Sequence, residues 1–177
     1  HFDAQQSYQL DAIHATVGLF SGQPAAAGTF EWQAHLLEPE LLDSLGTANA
    51  LALSDARLLA NLQTVQTGNQ LPPSASRARD DIRGARNFSV EMETGTGKTY
   101  VYLRTIFELN RRYGFTKFVI VVPSVAIREG VKKTIEQTRD HFRQIYDGVP
   151  FESFVYASGD LSRIIDFASS SSIRVMI

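Results

Sequence analysis

The sequence predicts an α/β fold: a parallel sheet with helices on both faces, preceded by a mostly helical N-terminal segment. Three features of the 177 residues carry that prediction. NFSVEMETGTGKTYVYLRTIFEL, residues 87–109, reads as an apolar strand, a glycine turn and a helix. FVIVV, residues 118–122, is the continuous β-branched run expected of an inner strand buried on both faces. From residue 87 onward, short apolar runs alternate with helical periodicities, the order that builds a parallel sheet through right-handed crossovers.

The elements follow in chain order. YQLDAIHATVGLF, residues 8–20, spaces Leu10, Ile13, Val17 and Phe20 along one helical face, and Gly22, Pro24 and Gly28 end it. Helices are expected over residues 39–45 and 54–66. In the second, Ser54 is placed to cap and Leu58, Leu59, Leu62 and Val65 to be buried. NQLPPSASRARDD, residues 69–81, reads as an exposed loop whose neighbouring Arg77, Arg79, Arg83 and Arg86 are solvated. The boundary between the N-terminal segment, residues 1–86, and the α/β part, residues 87–177, falls at its end.

Beyond it, Phe88, Val90 and Met92 make a strand and residues 98–113 a helix. Apolar residues nearly encircle that helix's first half, so it should be largely covered. Arg111 and Arg112 suit its C-terminus and Gly114 its cap. After Pro123 a helix carries Ile127, Val131 and Ile135 at steps of four. A strand over residues 151–156, a short helix over 161–167 and an incipient strand, IRVMI, complete the pattern.

Composition excludes several functions. Cysteine is absent, which removes disulfides, thiolate nucleophiles and thiolate zinc sites. His1, His14, His35 and His141 are scattered without metal-ligand spacing. A formal net charge of −2 gives no global attraction to a polyanion, so any nucleic-acid binding must come from local patches. No apolar run approaches the roughly 20 residues of a membrane span, and no signal region is visible; a cytoplasmic protein is the expectation.

METGTGKT, residues 92–99, supplies what a phosphate chain requires. Gly95 and Gly97 can adopt backbone conformations closed to other residues and let amides approach the ligand. A helix starting at Lys98 directs free N–H groups and the positive end of its dipole to the same point. Lys98 adds a cation for the outer phosphates, and the Thr99 hydroxyl a magnesium ligand. Thr94 and Thr96 complete the loop. The usual phosphate loop opens on Gly, however, and here that position is Met92.

The T-G-x-G-K-T form with another residue first resembles the superfamily-two helicases and translocases. EMETGTGKTYVYLRTIFELN followed by KFVIVVPSVAIREGV is similar to the restriction subunit of type III restriction–modification enzymes. YQLDAI and LLANLQ fit the same family's N-terminal end, so the resemblance covers most of the chain. It implies a partial RecA-like lobe that binds ATP and Mg2+. The whole protein it implies is a DNA-dependent ATPase and endonuclease acting on double-stranded DNA with a methyltransferase (modification) subunit. Adenine recognition in such motors uses an early glutamine, which falls on Gln9; a carboxamide pairs with the N7 and N6 edge of adenine. Tyr8 could lie against the base; an exposed glutamine at a helix start is the plainer reading, and Gln5 and Gln6 are weaker candidates.

VVPSVAIREG matches the place where these motors touch the nucleic-acid backbone. Ser124 would cap the helix there, and Arg128 and Lys132 would share a face away from Ile127 and Val131. That face either follows phosphates or is simply the charged side of an amphipathic helix. Glu91 and Glu93 stand oddly close to a phosphate site and have no assigned role.

Hydrolysis in this superfamily needs an Asp-Glu pair on a further strand, and the chain contains no Asp-Glu dipeptide. Asp160 and Asp166 are poor substitutes. The expectation is therefore a fragment that binds ATP weakly without turnover. A type I restriction motor, another superfamily-two helicase, or a self-contained phosphate-loop kinase are the alternatives.

Overall fold

The computed structural model describes residues 3–25, 27–29, 47–75, 79–80 and 85–177. The chain divides into two compact units, one of His1–Pro24 with Leu51–Glu108, the other of Ala25–Ala50 with Leu109–Ile177. The helix expected over residues 39–45 lies outside the described residues, as do Arg77 and Arg83.

In the first unit, helix α1 (Ser7–Gly18) buries Ile13 and Val17 of the expected face together with Ala12, while Leu10 and Phe20 are only partly buried. It packs on α2 (Asp55–Gly68), where Leu58 is fully buried. Ser54 caps α2 as expected, its hydroxyl accepting the Arg57 amide at 3.3 Å. Asn61 is a buried polar residue that apolar spacing could not flag. Its amide nitrogen donates to the carbonyls of Leu19 and Ser21, both at 2.9 Å, tying the exit of α1 to α2. The Gln23 carboxamide similarly accepts the Ala52 amide at 2.9 Å.

Two expectations fail here. The end of the predicted loop is a short strand, β3 (Arg79–Asp80), paired antiparallel with β4 (Ala85–Arg86) just beyond it; β1 and β2 belong to the second unit. Arg86 is also paired with Asp55 at 3.2 Å rather than simply solvated. And residues 88–92 are not a strand. Strand structure is a ladder, not a side-chain pattern, and among the described residues nothing pairs with this stretch; Val90 is half exposed. Helix α3 (Lys98–Tyr113) follows with the predicted bounds. Tyr100, Val101, Leu103, Ile106 and Phe107 are buried, whereas Tyr102 is only partly so.

The second unit holds the last turn of α3 and the parallel sheet. Gly114 closes that turn at φ 73°, donating to the Asn110 carbonyl at 2.8 Å. The sheet joins β5 (Lys117–Val119), β6 (Phe151–Phe154) and β7 (Ile173–Met176) in the order β5-β7-β6, all parallel. Helix α4 (Val125–Ile145) connects the first two strands and buries Val131, Ile135, Thr138 and Phe142. Helix α5 (Leu161–Ser169) connects the next two, its Phe167 ring edge-on to Phe154 at 5.9 Å. A small antiparallel pair, β1 (Ala27–Thr29) and β2 (Thr47–Asn49), is attached through Asn49. The Asn49 side chain accepts the amides of Thr116 and Lys117 at 2.8 and 3.0 Å and donates to the Lys117 carbonyl at 2.6 Å, standing in for a strand neighbour.

The sheet corrects the sequence reading of its centre. The strand with neighbours on both sides is β7, with Ile173 and Val175 fully buried. The FVIVV segment, expected to be inner, is an edge among the described residues: Val119 is 55% exposed and Val121 89%. A β-branched run shows that a strand is apolar on both faces; it does not say how many ladders the strand joins.

Candidate nucleotide-binding loop

The loop between residue 93 and α3 takes the shape its glycines permit. Gly95 and Gly97 both stand at φ 84°, a region costly to residues with a Cβ. They differ in surroundings. A Cβ on Gly95 would meet nothing within 4 Å, whereas one on Gly97 would lie 2.7 Å from the Gln9 amide nitrogen. Gly95 thus keeps an open approach, and Gly97 makes room for a side chain 88 residues earlier, Gln9.

That side chain is engaged with the loop. Gln9 donates from Nε2 to the Thr96 carbonyl at 2.9 Å, so the structure brings Gln9 and the loop together across the intervening helices. Thr96 Oγ1 and Lys98 Nζ both donate to the Glu93 carbonyl, at 2.7 and 3.0 Å. Glu93 therefore acts through its backbone, a role no side-chain pattern could announce, and its own side chain is exposed, as is that of Glu91. Thr99, next to Lys98 on the first turn of α3, is hydrogen-bonded to the Tyr102 phenol; burial raises that phenol's pKa and the Thr99 bond partly lowers it.

The donors an anion needs are present. The first α3 carbonyl to be used is that of Gly97, which accepts the Val101 amide at 3.0 Å. Among the described residues, the amides of Gly95, Gly97, Lys98 and Thr99 donate to no protein acceptor. Four N–H groups, a lysine and a hydroxyl at one helix start suit phosphate oxygens and a magnesium ligand. Beside them lies a cleft of about 800 Å³, walled in part by Tyr8, Ala12, Phe88, Met92, Glu93 and Thr96, within the size range of small-ligand sites. Tyr8 is exposed at its edge.

The other predicted contact, in the second unit, is built differently. Ser124 caps α4: its hydroxyl accepts the Ile127 amide at 3.3 Å. Arg128 Nε and Lys132 Nζ both reach the Glu129 carboxylate, at 3.2 and 2.9 Å. The Lys132 hydrogen bond above all, and then that of Arg128, hold the Glu129 carboxyl below its usual range. Ile127 is half exposed rather than part of the buried stripe headed by Val131.

The doubtful magnesium acids have structural roles. Asp160 caps α5, accepting the Arg163 amide at 3.3 Å and the Ser162 hydroxyl at 2.8 Å. Asp166 pairs with Arg174 at 3.3 Å, and Arg174 also pairs with Glu152. Among the described residues no cluster of three or more His, Cys, Asp or Glu could hold a metal, and no helix is long and apolar enough to cross a membrane.

Comparison with known proteins gives one consistent result. A family model described as "Type III restriction enzyme, res subunit" matches residues 6–171. The StyLTI Res subunit of Salmonella typhimurium is 49% identical over 76 residues, 42% of this chain and 8% of that protein. The EcoP15I Res subunit of Escherichia coli is 36% identical over 115 residues, 61% of this chain and 11% of that protein. The EcoPI Res subunit of Escherichia phage P1 is 36% identical over 101 residues, 55% and 10% respectively. The chain thus spans about a tenth of the length of these relatives. With a RecA-like α/β architecture, a glycine loop at a helix start and a family match over most of its length, the chain belongs to the type III restriction enzyme Res subunit family.

Proposed function

We propose that this chain is the ATP-binding part of the motor in a type III restriction endonuclease subunit. In this reading residues 87–177 open the motor lobe and residues 1–86 bring the base-recognition segment to it. Lys98 and the amides of residues 95–99 hold the β- and γ-phosphates, Thr99 ligates Mg2+, and Thr94 and Thr96 shape the loop. Gln9 reads adenine and Tyr8 lies near the base, with the adjoining cleft available to the nucleoside. When bound, the metal would supply neutralising charge to the phosphates held there.

The observation that carries the reading is the loop itself: two glycines at φ 84° leading into α3, with amides that no protein group among the described residues uses. Those amides can serve an anion at little cost in rearrangement. The Lys98 ammonium, resting on the Glu93 carbonyl, has to turn from a neutral acceptor to a charged one, an exchange that favours the phosphate.

In the whole protein, ATP hydrolysis would be coupled to double-stranded DNA and to cleavage, with a modification subunit supplying sequence recognition in the cytoplasm. Ser124 and Arg128 are the proposed contacts to the DNA backbone. No catalytic acid is assigned within these residues, and binding without turnover is the expected behaviour. Displacement of a fluorescent ATP analogue by ATP·Mg2+ tests the reading. Saturable displacement that Lys98→Ala removes supports it; equal displacement from wild type and variant contradicts it.

A further inference from the structure

The N-terminal turn ahead of Gln9 is held by the same helix that carries Lys98. Residues 3–5 form a small turn in which the Asp3 carboxylate accepts the Gln5 amide at 2.8 Å. Across 100 positions of sequence, Arg104 Nη1 donates to the Ala4 carbonyl at 2.6 Å. Arg104 lies on α3, six residues beyond Lys98, and is partly buried. It also hydrogen-bonds the buried Tyr100 phenol. Burial raises that phenol's pKa, and the charge and hydrogen bond of Arg104 pull it partly back, with Asp3 near enough to act on it in turn.

This polar cluster matters because α1 begins without help of its own. Its N-cap residue, Gln6, makes no side-chain capping bond, and no acid stands in its first turn. Gln9 sits in that first turn and must reach the Thr96 carbonyl. Two tethers therefore join the N-terminal segment to the loop and its helix: Arg104 to Ala4, and Gln9 to Thr96.

We propose that Arg104 is a positioning residue for base recognition, holding the N-terminal turn at Ala4 so that Gln9 stays on the phosphate loop. The inference rests on the nucleotide reading above and specifies which part of it Arg104 serves. Arg104 touches neither phosphates nor base. Its loss should act on the choice between adenine and other bases, leaving phosphate affinity in place.

The test compares ATP·Mg2+ and GTP·Mg2+ affinities by calorimetry on the full chain, for wild type, Gln9→Ala, Lys98→Ala, Arg104→Met and Arg104→Lys. Methionine keeps an apolar stem of similar length while removing the donors; lysine keeps a donor. Wild type should prefer ATP by about three- to tenfold, the scale of one hydrogen bond. Arg104→Met should lose that preference with GTP affinity unchanged, Gln9→Ala should lose it as well, and Arg104→Lys should recover part of it. An Arg104→Met protein with full ATP preference overturns the proposal, and so does one that loses both nucleotides equally. Failure of the nucleotide reading looks different: Lys98→Ala would then bind both nucleotides as well as wild type.

Discussion

Two helices in this molecule begin after a turn that the sequence marks as anion-binding, and the two beginnings are chemically unlike. At α3 the chain enters through glycines at positive φ, and among the described residues the amides of Gly95, Gly97, Lys98 and Thr99 find no protein acceptor. At α4 it enters through Ser124, whose hydroxyl already accepts the Ile127 amide. The nearest cations differ in the same sense. Lys98 rests on a neutral carbonyl, whereas Arg128 and Lys132 share the carboxylate of Glu129. A helix N-terminus is thus a strong anion site only where the protein leaves its donors unspent. The α3 terminus meets that condition, and the α4 terminus meets it in part.

Breaking the proposed phosphate site at α3 should have the largest effect. Lys98→Ala should weaken ATP·Mg2+ binding by about 10- to 100-fold, the range for a hydrogen bond to a charged group, measured by calorimetry. The glycines come next, and they sharpen the contrast within the loop. Gly95→Ala and Gly97→Ala each introduce a Cβ at φ 84°, at about 1–2 kcal/mol of stability in thermal melts. Gly97→Ala should be the worse of the two, because its Cβ also strikes Gln9. Equal melting losses would mean the Gln9 contact is easily moved.

At the α4 terminus the effects should be smaller and of a different kind. Ser124→Ala should cost about 1 kcal/mol of stability as a lost cap, read by chemical denaturation. A hydroxyl that serves DNA alone would leave stability unchanged and reduce DNA affinity instead. Arg128→Ala should weaken binding to a short duplex by only about two- to threefold at moderate salt, since exposed paired charges contribute little. Glu129→Gln should strengthen it by a similar factor by releasing both cations. A weaker complex on Glu129→Gln would show that the carboxylate positions its neighbours for DNA rather than competing with it.

The same contrast explains how much was legible in the sequence. The bounds of α3, the Ser54 and Ser124 caps and the burial of Ile13, Val17, Val131 and Ile135 follow from local chemistry, and local chemistry is what a sequence displays. The loop was legible because glycine, lysine and threonine at fixed spacing leave few alternatives. Ladder membership was not: residues 88–92 have a strand's side-chain alternation and no partner, and the FVIVV run stands at an edge. Pairing depends on distant segments. Contacts made by backbone atoms were equally hidden. The Glu93 carbonyl under Lys98, the Ala4 carbonyl under Arg104 and the Asn49 carboxamide beside β5 involve groups every residue has, or a residue type common in loops. Gln9 stands between these cases. The family resemblance singled it out, and only the fold set it on Thr96.

The most direct measurement is an amide spectrum of isotopically labelled protein titrated with ATP·Mg2+ and, separately, with adenosine. If the loop amides enclose the phosphates, the N–H signals of Gly95, Gly97, Lys98 and Thr99 move most with ATP and stay nearly still with adenosine. Saturation that leaves those four signals in place while others shift would show that the triphosphate is held elsewhere.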